Sequence, residues 1–123
     1  MLPVYEKIRR IAEIEFSDIV EDTLFVQDTL RLVFSDRSYL DIWFSWKRKG
    51  RYSYHWERQH IDGKIYRHDN IPHSRWKKVA TFPKHFHNGS ESPEDVKVSQ
   101  INEETEKALR EILTWIRKIL NHP

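Results

Sequence analysis

From residue 29 onward the chain alternates. Leu30, Leu32 and Phe34 fall at every second position, Ser35-Asp36-Arg37-Ser38 interrupts, and Leu40, Ile42, Phe44 and Trp46 resume the pattern. Two apolar runs of period two around a polar turn predict an antiparallel hairpin with one buried face. Whatever else the chain does, it must cover that face.

The flanking segments supply the cover. Residues 3–15 start with a proline suited to a first helical turn and place Val4, Ile8, Ile11 and Ala12 at helical spacing. Residues 18–27 read as a further strand. After a Lys-Arg-Lys-Gly break, RYSYHWERQ and KIYRHDN flank Asp62-Gly63, which predicts a tight hairpin. Tyr52, Tyr54 and Trp56 share one face of the first of these strands, and Arg51, Ser53, His55 and Glu57 the other. Arg67 and Asp69 share a face of the second, but whether His55 meets them depends on a register that the sequence leaves open. Residues 71–94 read as loops limited by Pro72, Pro83 and Pro93, and VKVSQ as a short strand. The C-terminal helix is predicted to be capped by Asn102. Glu103 and Glu104 suit its positive end, Arg117 and Lys118 its negative end, and Leu109, Ile112, Ile116, Ile119 and Leu120 form its stripe. This order predicts an α+β fold: a twisted antiparallel sheet of five or six strands with an N-terminal and a C-terminal helix packed on it, in one domain over residues 1–123.

Composition narrows the chemistry. The chain has no cysteine, hence no disulfide framework, thiol nucleophile or cysteine zinc site, which suits a reducing cytoplasm. No apolar run approaches the roughly 20 residues of a membrane span, and no signal-peptide core precedes the first helix. A cytoplasmic protein without a membrane partner is expected. The net charge of +2 hides an asymmetry. Residues 47–87 hold 11 basic side chains against Glu57, Asp62 and Asp69, and six of the seven histidines. That block attracts phosphates or an acidic partner.

Two chemistries fit the histidines. His85 and His87 on an extended segment project to one side and could grip a divalent metal, with His55, Asp69 or His73 as third ligand. Alternatively, cleavage of a phosphodiester by the neighbouring 2′-hydroxyl needs a base, an acid and a cation over the phosphate. Histidine can do either proton task, arginine offers a planar fork to the non-bridging oxygens, and a carboxylate can orient an imidazole. The plainer alternative is that Arg67 and Asp69 only pair with cross-strand neighbours. Likewise, most of the aromatics crowding the basic block belong to a core, with two or three left to line a groove.

The order YSYHW, DGKIYRHDNIPH, TFPKHFH resembles the TumE-like family of small toxins from prokaryotic toxin–antitoxin modules. Tyr54, His55 and Trp56 match its aromatic–His segment. Arg67, Asp69, Asn70, Pro72 and His73 match its Arg-x-Asp-Asn-x-Pro-His element, and Pro83, His85 and His87 its Pro-x-His-x-His ending. Ser74 stands where the family pattern carries a second histidine. The resemblance covers residues 28–99 and implies a growth-inhibiting toxin held in check by a cognate antitoxin. By analogy with other small basic toxins, the expected activity is that of a metal-independent endoribonuclease acting without a cofactor. Arg67 would stabilise the phosphate, His73 or His85 would act as base or acid, Asp69 would orient, and His55 and His87 complete the catalytic candidates. Lys47, Arg48, Lys49, Arg51, Lys77, Lys78, Lys84 and Trp76 would hold the nucleic acid. The alternatives are a metal-dependent nuclease or nucleotide-modifying enzyme using His85, His87 and Asp69, and a non-enzymatic module that binds nucleic acid or antitoxin. Homodimerisation is left open.

Overall fold

The computed structural model describes residues 2–122. Its contacts gather into two compact units, one built from residues up to Arg37 together with those from Ile101 onward, the other from Ser38–Gln100.

In the first unit, helix α1 (Pro3–Glu15) follows an extended Leu2, and the fixed φ of Pro3 suits its first turn. It buries Tyr5, Ile8, Ile11 and Ala12, so the inward stripe begins at Tyr5 rather than Val4. The Tyr5 hydroxyl explains the choice: it donates to the Asp28 carbonyl at 2.9 Å while the ring meets Phe25 edge-on at 5.1 Å. Strands β1 (Val20–Val26) and β2 (Thr29–Phe34) pair antiparallel, and Leu30, Leu32 and Phe34 are buried as their period predicts. Helix α3 (Thr105–Asn121) buries Ala108, Leu109, Ile112, Leu113 and Ile116. α1 packs on β1, β2 and α3. Two bidentate pairs tie this unit at its surface, Arg110 to Glu15 and Arg117 to Asp18, with Arg117 also lying over the Phe16 ring. Asn102 does not cap α3. Its side-chain oxygen accepts from the Glu104 N–H at 2.8 Å and turns the chain before the helix, which Glu104 caps through its backbone.

The second unit carries strands β3 (Tyr39–Phe44), β4 (Tyr52–Arg58), β5 (Lys64–Asp69), β6 (His85–Gly89) and β7 (Val96–Val98), and each of the last four is antiparallel to the one before. Trp46 does not extend β3: the strand ends at Phe44, the Arg48 N–H bonds the Ser45 hydroxyl, and Trp46 is left 79% exposed. β4 and β5 are joined not by a two-residue turn but by one helical turn, α2 (Gln59–Asp62). Glu57 accepts from the Gln59 N–H at 2.8 Å, Arg58 pairs with Asp62 at 2.9 Å, and Gly63 closes the turn at φ 77°.

The fold is α+β, with seven strands among the described residues instead of five or six. The strand beyond the expected number is β6, inside the segment read as loop. Its inward positions are histidines rather than aliphatics.

Leu40, Ile42, Tyr54 and Trp56 form the buried apolar side of this unit. Trp56 is 1% exposed, and its indole N–H donates to the Ser38 hydroxyl at 2.9 Å. Burying so large a side chain contributes about 4–6 kcal/mol of transfer free energy. Because side chains alternate, the residues between these apolar ones are directed to the opposite face, and the register sets them in rows. His55 lies opposite Arg67 and Arg67 opposite His87; Ser53 lies opposite Asp69 and Asp69 opposite His85.

Candidate functional site

Arg67 is the hub of those rows. Its Nε donates to Asp69 Oδ2 at 3.0 Å, and its Nη1 and Nη2 clasp the two carboxylate oxygens of Glu91. Nη2 also lies 3.1 Å from His87 Nε2, and Nη1 lies 3.4 Å from His55 Nδ1. A guanidinium has no lone pair, so it donates to both rings. The tautomer that fits puts the His87 proton on Nδ1, and that of His55 on Nε2, where it bonds Glu57 Oε1 at 3.1 Å. The lone pair of His55 Nδ1 points at the guanidinium.

Asp69 fixes the floor. It is 3% exposed and accepts from the Ile71 N–H at 3.0 Å, from Arg67, and from His85 Nε2 at 3.2 Å. Burial alone would raise its carboxyl. The bonds from His85, Ile71 and Arg67 overcome that and hold it below the ordinary carboxylate range. His85 Nδ1 meets the Pro83 carbonyl at 2.8 Å, so both of its nitrogens face acceptors. Burial opposes its charge, but the bonds to Asp69 and Pro83 raise its pKa, and the ring is an imidazolium to higher pH than usual. His87, 1% exposed, behaves oppositely: burial first, then the Arg67 charge, push its pKa down to about 4.

Trp76 roofs the two histidines, 5.7 Å from the His85 ring and 5.4 Å from that of His87. At 8% exposure most of its indole is packed within this unit. A 3₁₀ turn at Ser74–Trp76 positions it, opened by His73, whose Nδ1 accepts from the Arg75 N–H at 3.1 Å. His73 itself is exposed, its ring 6.3 Å from Trp76, and it forms no hydrogen bond to the Arg67 cluster among the described residues.

The remaining candidates are distributed around this centre. Lys47, Arg48 and Lys49 are exposed in the β3–β4 connection, and Lys77 and Lys78 are exposed after the 3₁₀ turn. Arg51 is half-buried and donates to the Asn70 carbonyl. Asn70 braces the same connection, accepting from the Tyr52 N–H at 2.9 Å and donating to the Gly50 carbonyl at 2.7 Å. Lys84 is half-buried, and its charge bears on His68, whose ring points to the opposite face and stacks on Phe86 at 4.2 Å. Of the six catalytic candidates, Arg67, Asp69, His55, His85 and His87 lie together and His73 stands apart. Sequence reasoning did not assign roles to Glu57 and Glu91, the orienting and capping carboxylates. The signals for these were a glutamate two residues from His55 on its strand face, and one four residues past His87 beyond the Gly89 turn.

Arg67 and His55 reach the surface, each with 23% of its side chain exposed, whereas His85, His87 and Asp69 lie at 5% or below. The arrangement offers an accessible cation beside an accessible base, both set on a buried, hydrogen-bonded foundation. One donor atom from each of Asp69, His85 and His87 lies within 4.8 Å of the others, so these three could also hold a metal ion. No helix among the described residues is long and apolar enough to cross a membrane.

Compared with known proteins, residues 4–120 match the family model described as Toxin TumE. None of the curated proteins and none of the solved structures compared matches the chain.

Proposed function

Since the chain belongs to the TumE toxin family, the toxin side of a toxin–antitoxin module with a cognate antitoxin as partner, we propose that it acts on RNA as a metal-independent endoribonuclease. The observation that carries this reading is the Arg67 fork set beside the His55 lone pair. A phosphodiester on the fork would place its 2′-hydroxyl near His55. His55 Nδ1 takes the hydroxyl proton, the 2′-oxygen bonds phosphorus, and the bond to the 5′-oxygen breaks. His73, on the exposed rim, supplies the proton to the leaving oxygen. Glu57 orients His55 and supports the positive charge that forms on it. His85, bound at both nitrogens, positions Asp69, and His87 braces Arg67 from beneath. The exposed Lys47, Arg48, Lys49, Lys77 and Lys78 hold the backbone by charge.

The second reading, a metal-dependent nuclease, is favoured by the convergence of Asp69, His85 and His87, two imidazoles and one carboxylate. Against it stands Arg67, whose donors engage the lone pairs of His87 Nε2 and Asp69 Oδ2 that a metal would need. A divalent ion there must displace a cation. The fork is the simpler source of positive charge.

Arg67→Lys tests the reading. Lysine keeps the charge but loses the planar fork. Toxicity on induction is expected to fall tenfold or more, while the melting temperature moves by only a few degrees because Asp69 keeps a cationic partner. A folded Arg67→Lys protein with full toxicity would contradict a role for the fork.

A further inference from the structure

Glu91 and Asp69 both bind Arg67, but they are unlike carboxylates. Asp69 is buried and held by three donors. The Glu91 side chain is 57% exposed, and its recorded partners are Arg67 and, at 3.9 Å, His87 Nδ1. The loop that carries it does not depend on it. Gly89 turns the chain out of β6 at φ 100°, the Ser90 hydroxyl bonds Asp95 at 2.6 Å and the Ser92 N–H at 3.0 Å, and the Asp95 N–H bonds the Ser92 carbonyl at 3.0 Å. Glu91 can therefore leave Arg67 without unmaking its own turn.

A second feature points to what would replace it. His87 Nδ1 is buried and finds no hydrogen-bond partner among the described residues. It bears the proton, because Nε2 accepts from Arg67, and its closest carboxylate oxygen is that of Glu91, beyond hydrogen-bond reach at 3.9 Å. A buried N–H left unbonded is costly. A tetrahedral oxyanion seated on the fork has an oxygen to spare for it, whereas a planar carboxylate uses both of its oxygens on Arg67.

We infer that the place held by the Glu91 carboxylate is a phosphate subsite, in which Glu91 stands in for a phosphate group that displaces it onto the Arg67 fork and the His87 Nδ1–H. This rests on the proposed reading that the site takes phosphate esters, and adds to it that the free toxin closes its own subsite. Glu91 lowers the affinity for phosphate by competing for the fork, and the exchange of one anion for another keeps Arg67 paired throughout.

The test is the binding of inorganic phosphate to the purified protein near pH 7, followed by NMR at constant ionic strength, in wild type, Glu91→Gln, Arg67→Lys and Glu94→Gln. Glu94 is an exposed acid of the same segment and controls for net charge. Glu91→Gln is expected to bind phosphate at least tenfold more tightly than wild type, Glu94→Gln no more than twofold more tightly, and Arg67→Lys to lose the binding. The His87 ring signals should shift on saturation. An affinity unchanged in Glu91→Gln, or raised as much in Glu94→Gln, would overturn the inference. Cleavage of RNA is measured on the same samples. Tighter phosphate binding without RNA cleavage sustains the subsite and retires the ribonuclease reading. RNA cleavage with phosphate binding indifferent to Glu91 retires the subsite alone.

Discussion

Replacing Asp69 by asparagine is expected to destabilise the protein by about 3–5 kcal/mol, the cost of removing one partner from a buried ion pair. Asp69 is 3% exposed, and two cationic groups, Arg67 and the His85 imidazolium, converge on its two oxygens. Asparagine can still accept from the Ile71 N–H but brings no charge, so the His85 proton loses its main support and the ring reverts toward neutrality. Toxicity should vanish with the geometry of the fork. Chemical denaturation at pH 7 reads the effect, and a loss below about 1 kcal/mol would mean that the network contributes little. The corresponding change at an exposed acid, Glu94→Gln, should stay within about 0.5 kcal/mol.

Stability should peak near neutral pH and fall on both sides. On the acid side the cause is His68 and His87. Burial, followed by the charge of Lys84 for the first and of Arg67 for the second, lowers both from 6.5 to about 4. Between those values the unfolded chain binds more protons than the folded one, so stability declines as pH drops through that window. Each shift corresponds to about 3 kcal/mol, with about two protons taken up on unfolding near pH 5. On the alkaline side the cause is His85. Its raised pKa means that the folded state keeps a proton which the unfolded state has released, so its stabilisation is complete below 6.5 and is lost as pH rises through the folded value. His68→Asn keeps a partner for the Ser99 hydroxyl and should remove about half of the acid-side slope. Denaturation midpoints across pH 4.5–8 check this. A profile flat from pH 7 to 4.5 would contradict the neutral, buried state of both rings.

The parts of this fold that were legible in the sequence are those where a period and a chemistry agree. Leu30, Leu32 and Phe34 are buried as alternation requires, and Leu109, Ile112 and Ile116 as helical spacing requires. β6 was hidden because its inward residues, His85 and His87, carry no apolar signal, yet they are buried as deeply as leucine by virtue of Asp69, Arg67 and Trp76. Asp62-Gly63 looked like a hairpin turn, but the Arg58–Asp62 pair favours a helical turn with Gly63 as its left-handed end. The residue types of the candidate site were legible. Their register was not, since it depends on how α2 spaces β4 from β5, and the pairing of His55 with Arg67 is a tertiary outcome. The place of Trp76 over the two histidines was not legible either, since it depends on how the 3₁₀ turn folds back on β6.

The proposed cleavage of RNA by Arg67 and His55 through its own 2′-hydroxyl needs no metal and leaves a cyclic phosphate. The direct measurement incubates total cellular RNA with purified, antitoxin-free protein in excess chelator and maps the new 3′ ends. Cleavage is expected in chelator, with 2′,3′-cyclic phosphate at the new ends, loss of cleavage in His55→Asn, and no cutting of single-stranded DNA. No cleavage of any RNA, or cleavage that appears only when a divalent metal is restored, would contradict it.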